Sequence, residues 1–154
     1  MVLGDRLIDA TSGEPLTDLV LKWAEERPDA PAFTFVDYGS HRDGRRTTLT
    51  WAETHLRACA TAARLRRLAE PGDRVALLLP QGLEYLITML GSMYARTIAV
   101  PLFSPDLPGR SARLVGAYAD ADPAVVVSTS GILPEVRVFL DDTGRTRVRP
   151  ILSA

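Results

Sequence analysis

The chain has almost no lysine. Lys22 stands alone beside seventeen arginines in 154 residues. A Walker-type phosphate loop closes on Gly-Lys-Ser/Thr, because the lysine reaches the outer phosphates. With its single lysine in an early helical stretch, this sequence has no such loop. The dinucleotide fingerprint G-x-G-x-x-G is missing, and so is the G-x-S-x-G turn of the common serine hydrolases. A single cysteine, Cys59, excludes an internal disulfide and fits a reducing, cytoplasmic setting. With it, His41 and His55 offer no zinc-ligand spacing, so both read as solvated histidines.

Aromatic residues are scarce at 6%, and none is interleaved among the arginines of the turn around Asp43-Gly44. That turn therefore reads as solvated and not as a nucleic-acid surface. The net charge of −1 gives no general attraction to a polyanion or an anionic membrane, so the excess of arginine with many alanines reads as coding bias. No long apolar run is present. The most apolar region, Val75 to Ala95, is interrupted by Pro80, Gly82 and Glu84 and reads as strand, turn and helix instead of a membrane span. The opening MVLGDRLIDA carries Asp5, Arg6 and Asp9 and lacks the apolar core of a signal peptide. Repeats and low-complexity tracts are also absent.

What is present suits one α/β unit. The sequence is 46% hydrophobic and 24% charged, enough to bury a core. Leu16, Leu19, Val20, Trp23 and Ala24 repeat at helical spacing, so a helix is expected over Leu16 to Glu26, ended by Pro28 and Pro31. Ala32 to Val36 and Arg46 to Leu49 read as a hairpin. Thr50-Trp51-Ala52-Glu53 has the form of a capping box opening a helix to about Leu68. On that helix Leu56, Cys59, Ala60 and Ala63 form a narrow face suited to a sheet, with Arg57, Arg64 and Arg67 pointing away.

Beyond Pro71-Gly72-Asp73, strands are expected at Val75 to Leu79, Ile98 to Pro101, Ala124 to Val127 and Arg147 to Leu152. Helices fall between them. One carries Leu83, Leu86, Ile87, Leu90 and Tyr94. Another runs from Ser111 to Ala119 with Leu114, Val115 and Tyr118 inward, and a third from Ile132 to Asp141. Apolar strands alternating with helices of crossover length predict βαβ units and a mainly parallel sheet flanked by helices, with the short antiparallel hairpin near the start. Ligands bind at the carboxyl ends of such strands. Those ends are Pro80-Gln81-Gly82, Phe103-Ser104-Pro105-Asp106 and Ser128-Thr129-Ser130-Gly131. The last reads as a cap for the helix that follows, with some capacity to show backbone N–H groups to an anion. The triplet Thr11-Ser12-Gly13 repeats its composition in the N-terminal stretch. Asp120, Asp122, Asp141 and Asp142 read as helix terminators and solvated carboxylates.

Three stretches, in this order, resemble the start of an adenylate-forming enzyme. They are TLTWAETHLRACATAARL (Thr48 to Leu65), PGDRVALLLPQGLEYLITMLGSMYA (Pro71 to Ala95) and TIAVPLFSP (Thr97 to Pro105). LTW, an alanine-rich helix and PGDRV are shared across that superfamily. LLLPQGLEYL, IAVPLFSP and the earlier FTFVDYGSHRDG are more similar to the fatty acyl-AMP ligases, which load long acyl chains onto polyketide synthases. The resemblance runs from about Leu16 to Val127. It implies residues 1–15 as a tail and 16–154 as part of the N-terminal α/β subdomain of such a ligase. For the complete enzyme it implies ATP, magnesium, a fatty acid and an acyl carrier protein, with an acyl adenylate as intermediate.

The nucleotide loop of that family reads T-S-G-S-T-G-x-P-K-G. Here Thr129 opens TSG but continues ILPEV, with no lysine. The adenine motif, hinge and C-terminal lysine of the family have no counterpart. The resemblance therefore assigns this chain no catalytic, cofactor-binding or metal-ligating residue, and implies that ATP and magnesium are held by the remainder of the ligase. The family glycine after the helix ending at Tyr94-Ala95 is Arg96 here, which predicts a strained or shifted turn. Two other readings stand beside this one: a non-catalytic, stand-alone α/β binding or interaction module, and a piece of an acyl-CoA synthetase or peptide-synthetase adenylation domain.

Overall fold

The computed structural model describes residues 13–39, 42–105, 111–143 and 151–154. His41, Asp106, most of the expected N-terminal tail and residues 147–150 of the expected last strand lie outside them. The first helix, α1, covers Leu16–Glu26, as its apolar spacing predicts. Strands β1 (Pro31–Asp37) and β2 (Arg45–Thr50) pair antiparallel. Gly44 makes their turn at φ +76°, a conformation that favours glycine. Thr34 and Thr48 face each other across the pair, their hydroxyls 2.8 Å apart.

Helix α2 covers Trp51–Leu65, and its capping box forms as the sequence predicts. The Glu53 N–H donates to Thr50 Oγ1 at 3.2 Å, and the Thr50 N–H donates to Glu53 Oε2 at 2.9 Å. A cap of this kind is worth about 1 kcal/mol. The N–H groups of Trp51 and Ala52 donate to the carbonyls of Ala30 and Pro28, both at 3.1 Å. Helix start and hairpin are thereby locked together. Trp51 completes the joint, with its ring centroid 4.5 Å from that of Trp23 and 5.6 Å from that of Phe33.

The remaining elements are β3 (Arg74–Leu77), α3 (Leu83–Tyr94), β4 (Ile98–Pro101), α4 (Ser111–Ala121), β5 (Val125–Ser128), α5 (Leu133–Asp142) and β6 (Ile151–Ser153). The four strands form one parallel sheet in the order β4-β3-β5-β6. Strand alternation sorts their side chains between two cores. Val75, Leu77, Leu79, Val125 and Val127 pack with Ala62, Leu65 and Ala95 on one face. Ala76, Leu78 and Val126 pack with Leu114, Tyr118, Val136 and Phe139 on the other. Covered faces on both sides explain why β3 and β5 are apolar without alternation, while the edge strand β4 leaves Ile98 52% exposed.

Three expectations need correction. The buried face of α2 is Thr54, Ala58, Ala62 and Leu65, while Leu56 is 70% exposed and Cys59 is exposed. The main neighbour of α2 is another helix, α3, and small residues on the facing rows allow the two axes to approach. A Cβ added at Gly91 would meet the Thr61 side chain at 2.7 Å and the Ala58 carbonyl at 3.2 Å. Helix α2 also ends at Leu65, with turns to Leu68. Finally, Val115 is 39% exposed, leaving Leu114 and Tyr118 as the buried residues of α4.

Arg96 does adopt the left-handed conformation, at φ +64°. The Arg96 N–H donates to Met93 O and the Thr97 N–H to Ser92 O, at 3.0 and 2.9 Å. This is the paired pattern of a Schellman motif, in which glycine is the usual residue at the Arg96 position. The bonds are made and the cost is conformational. Arg96→Gly is therefore expected to stabilise the chain by about 1 kcal/mol. The check is a higher urea midpoint with an unchanged slope. Asp122, at φ +39°, ends α4 in a related way, and the Arg74 guanidinium donates to the carbonyls of Ala121 and Asp122.

Candidate functional site

Strand β3 lies between β4 and β5. The chain leaves β3 through α3 to reach β4 on one side, then crosses through α4 to β5 on the other. Helix α3 packs on the Leu77 face of the sheet and α4 on the Leu78 face. Crossovers on opposite faces leave a crevice at the carboxyl ends of the strands, where open α/β sheets bind ligands.

A cavity of about 770 Å³ opens at that edge. The turn after β3, Leu79 to Gly82, forms one side, and Pro101 to Ser104 after β4 forms another. Tyr85 of α3 and Ala117 of α4 complete the lining. None of these side chains is charged. The polar groups are the Gln81 amide and the hydroxyls of Tyr85 and Ser104. Ser104 is 6% exposed, and among the described residues its hydroxyl has no hydrogen-bond partner. Phe103 remains 41% exposed. A cavity of this size whose described lining carries no charge suits an apolar ligand segment with few polar contacts. Among the described residues it offers no cationic side chain to a triphosphate. Among the described residues no three His, Cys, Asp or Glu side chains gather to hold a metal ion. Asp120, Asp122, Asp141 and Asp142 are exposed at helix ends.

The third carboxyl end differs from its expected role. Ser128 is fully buried, and Thr129 is extended at φ −93°, ψ 156°. Residues Ser130–Ile132 form a 3-10 turn before α5, and no side chain of this stretch caps either element. The turn moves the start of α5 to Leu133, beyond hydroxyl reach. Pro134 in the first helical turn removes one donor that would otherwise need a partner.

A second polar group lies away from the carboxyl edge, between α1, α2 and α3. His55, read from sequence as solvated, is half-buried there. Its Nδ1 lies 3.0 Å from the Tyr94 hydroxyl, and its Nε2 lies 3.5 Å from Cys59 Sγ. The Tyr94 hydroxyl donates to Thr17 O at 3.4 Å. The i, i+4 spacing of His55 and Cys59 was visible in the sequence; Tyr94, 39 residues further on, was not. Burial pushes the Tyr94 hydroxyl up to about 12, helped by electrostatic interaction with Cys59 and Asp18. The native chain therefore holds this proton above pH 10, where an ordinary tyrosine ionises. The contribution of Tyr94 to stability is complete below about pH 10 and is lost as pH rises toward about 12. Tyr94→Phe is expected to remove this part of the alkaline loss, read as a smaller fall in urea midpoint between about pH 9 and about pH 11.

The sequence matches the AMP-binding enzyme family over residues 20–152. It is 41% identical over 135 residues to the long-chain-fatty-acid–AMP ligase FadD32 of Mycolicibacterium smegmatis, covering 88% of this chain and 21% of that protein. It is 43% identical over 130 residues to the 4-hydroxyphenylalkanoate adenylyltransferase of Mycobacterium marinum, covering 84% and 21%. Among solved structures, it superposes on the fatty acyl-adenylate ligase of Legionella pneumophila in complex with acyl adenylate and pyrophosphate. The TM-score is 0.72 at 26% identity, over 89% of this chain and 22% of that one. A four-domain nonribosomal peptide synthetase bound to AMP and glycine gives a TM-score of 0.67 at 26% identity, over 92% and 9%. The chain spans about a fifth of the length of the curated relatives it matches.

Proposed function

We propose that this chain, which belongs to the AMP-binding enzyme family, is the N-terminal part of a fatty acyl-AMP ligase and forms one wall of its acyl-handling face. The complete enzyme joins a fatty acid carboxylate to the α-phosphate of ATP, releases pyrophosphate and passes the acyl group to a carrier protein in the cytoplasm. The observation that carries the reading is the 41% identity to a long-chain-fatty-acid–AMP ligase over 88% of the chain. Fold likeness alone does not separate the branches, because a peptide synthetase shares it. The carboxyl-edge cavity, whose described lining carries no charge, agrees with an acyl-facing role.

In this reading the chain contributes surface and positioning to adenylation, and ATP and its metal are held by groups of the remainder of the ligase. Residues 16–154 then form part of one α/β subdomain, with 1–15 as its leading tail. Phe103, exposed at the mouth of the cavity, is the residue best placed to meet an acyl chain.

The test replaces the matching segment of the Mycolicibacterium smegmatis ligase with residues 16–154 and measures acyl-adenylate formation from ATP and a long-chain fatty acid. Activity in this chimera, with none from the present chain alone, is the expected result. A folded but inactive chimera, or robust adenylate formation by the chain alone, would sink the proposal.

A further inference from the structure

Cys59, His55 and Tyr94 form a chain of polar contacts. The Tyr94 hydroxyl lies 3.0 Å from His55 Nδ1 and 3.4 Å from the Thr17 carbonyl, and its one hydrogen can serve either contact. When it serves Thr17, the hydroxyl oxygen accepts from His55 Nδ1–H. With the proton on Nδ1, the lone pair of His55 lies on Nε2, the nitrogen that faces Cys59 Sγ. A thiol, a base beside it and a third group that orients the base are the parts of an activated nucleophile. Packing holds the relay in place: the His55 and Tyr94 rings meet edge to face at 5.6 Å. Cys59 is exposed at one end of it, on the wall of a cavity of about 370 Å³.

Among the described residues, the charged groups lining that cavity are Asp18 of α1, Arg66 just beyond α2 and Arg96 just beyond α3. Arg66 also donates to the Tyr94 carbonyl, which holds its guanidinium at the rim. Two guanidinium groups against one carboxylate favour an anionic visitor. Leu21 and Met93 give the cavity an apolar side.

We propose that Cys59 is a thiol-modification site, with His55 as its base and Tyr94 as the positioning residue, and that it takes small disulfides bearing a carboxylate. The step is thiol–disulfide exchange. His55 Nε2 accepts the Cys59 proton, and Sγ attacks one sulfur of the visitor. An Sγ–S bond forms and the original S–S bond breaks. The departing thiolate takes the proton back from His55. Cys59 is oxidised to a mixed disulfide, the departing half is reduced to a thiol, and no other oxidant is needed. The site lies apart from the carboxyl-edge cavity and does not depend on the ligase reading.

Cys59 is the sole thiol of the chain, so the test reads it directly. The full chain is treated with dithiobis-nitrobenzoate, native and unfolded in urea, with N-acetylcysteine in each solvent as the standard. The native chain is expected to react about 10-fold faster than the unfolded one at neutral pH, whereas a structural cysteine reacts more slowly when folded. His55→Gln is expected to remove this excess with the far-ultraviolet circular dichroism unchanged. Tyr94→Phe keeps the ring contact and is expected to remove part of it. The excess is expected to be larger for dithiobis-nitrobenzoate than for neutral dipyridyl disulfide. A native rate at or below the unfolded rate overturns the proposal, as does a folded His55→Gln chain that keeps the full rate. A larger excess for the neutral reagent overturns the assignment of an anionic visitor. If His55→Gln does not fold, the native-to-unfolded ratio of the natural chain decides alone.

Discussion

Gly91→Leu is expected to destabilise the chain by about 3 kcal/mol or more, enough to abolish a sharp urea transition if the native margin is small. A Cβ at this position would lie 2.7 Å from both Cβ and Cγ2 of Thr61, where carbon atoms prefer about 3.5–4.0 Å. The nearby Ala58 carbonyl is backbone and has no rotamer by which to retreat. Leucine is a better helix former than glycine, by most of about 1 kcal/mol, so any loss measures packing between α2 and α3 and not helix propensity. Thr61→Gly removes the opposing side chain. It is expected to return part of what Gly91→Ala loses, giving a favourable coupling in a double-mutant cycle. Strict additivity of the two changes would mean that the helices are not held apart by this contact.

Leu77→Ala is expected to cost about 3–4 kcal/mol. Leu77 is fully buried at the end of β3, a strand paired on both sides. Neighbours held by two ladders collapse poorly into a vacated space, so the cavity penalty adds to the lost burial. Leu56→Ala is the control. At 70% exposure its cost is expected within about 0.5 kcal/mol, the range of ordinary surface changes. Urea unfolding of the two variants tests which face of α2 is buried. Leu56 lies on the face that the sequence favoured and the structure exposes. Equal, large losses for both would restore the sequence reading.

Much of the framework was legible from local chemistry. Helix α1 follows from five apolar residues on one stripe and two prolines after it. The start of α2 follows from Thr50 and Glu53, because a capping box is completed within four residues. The parallel sheet follows from apolar strands too uniform to have a wet face. The left-handed turn at Arg96 was visible as a departure from a resembled pattern, and its backbone bonds show why the turn persists without glycine.

The α2 face was not legible, because the sequence does not say whether a helix meets a sheet or another helix. A leucine looks like the natural anchor for a sheet. The structure sets Ala58 and Ala62 inward, since close helix contact rewards small side chains over large ones. Ser128 to Gly131 misled for a similar reason. Its hydroxyls have the composition of a cap, but a 3-10 turn carries the start of α5 past their reach.

By itself the sequence determined the class of fold, most element positions and the family to which the chain belongs, because these rest on periodicity, caps and contiguous motifs. Only the tertiary structure decided which strand ends frame a cavity whose described lining carries no charge, that Ser104 is buried there without a hydrogen-bond partner among the described residues, and that Tyr94 joins His55 and Cys59. Those facts depend on residues far apart in the chain: the strand ends meet through crossovers on opposite faces of one sheet, and Tyr94 meets His55 because α2 and α3 pack together on one face, and no local spacing encodes such meetings.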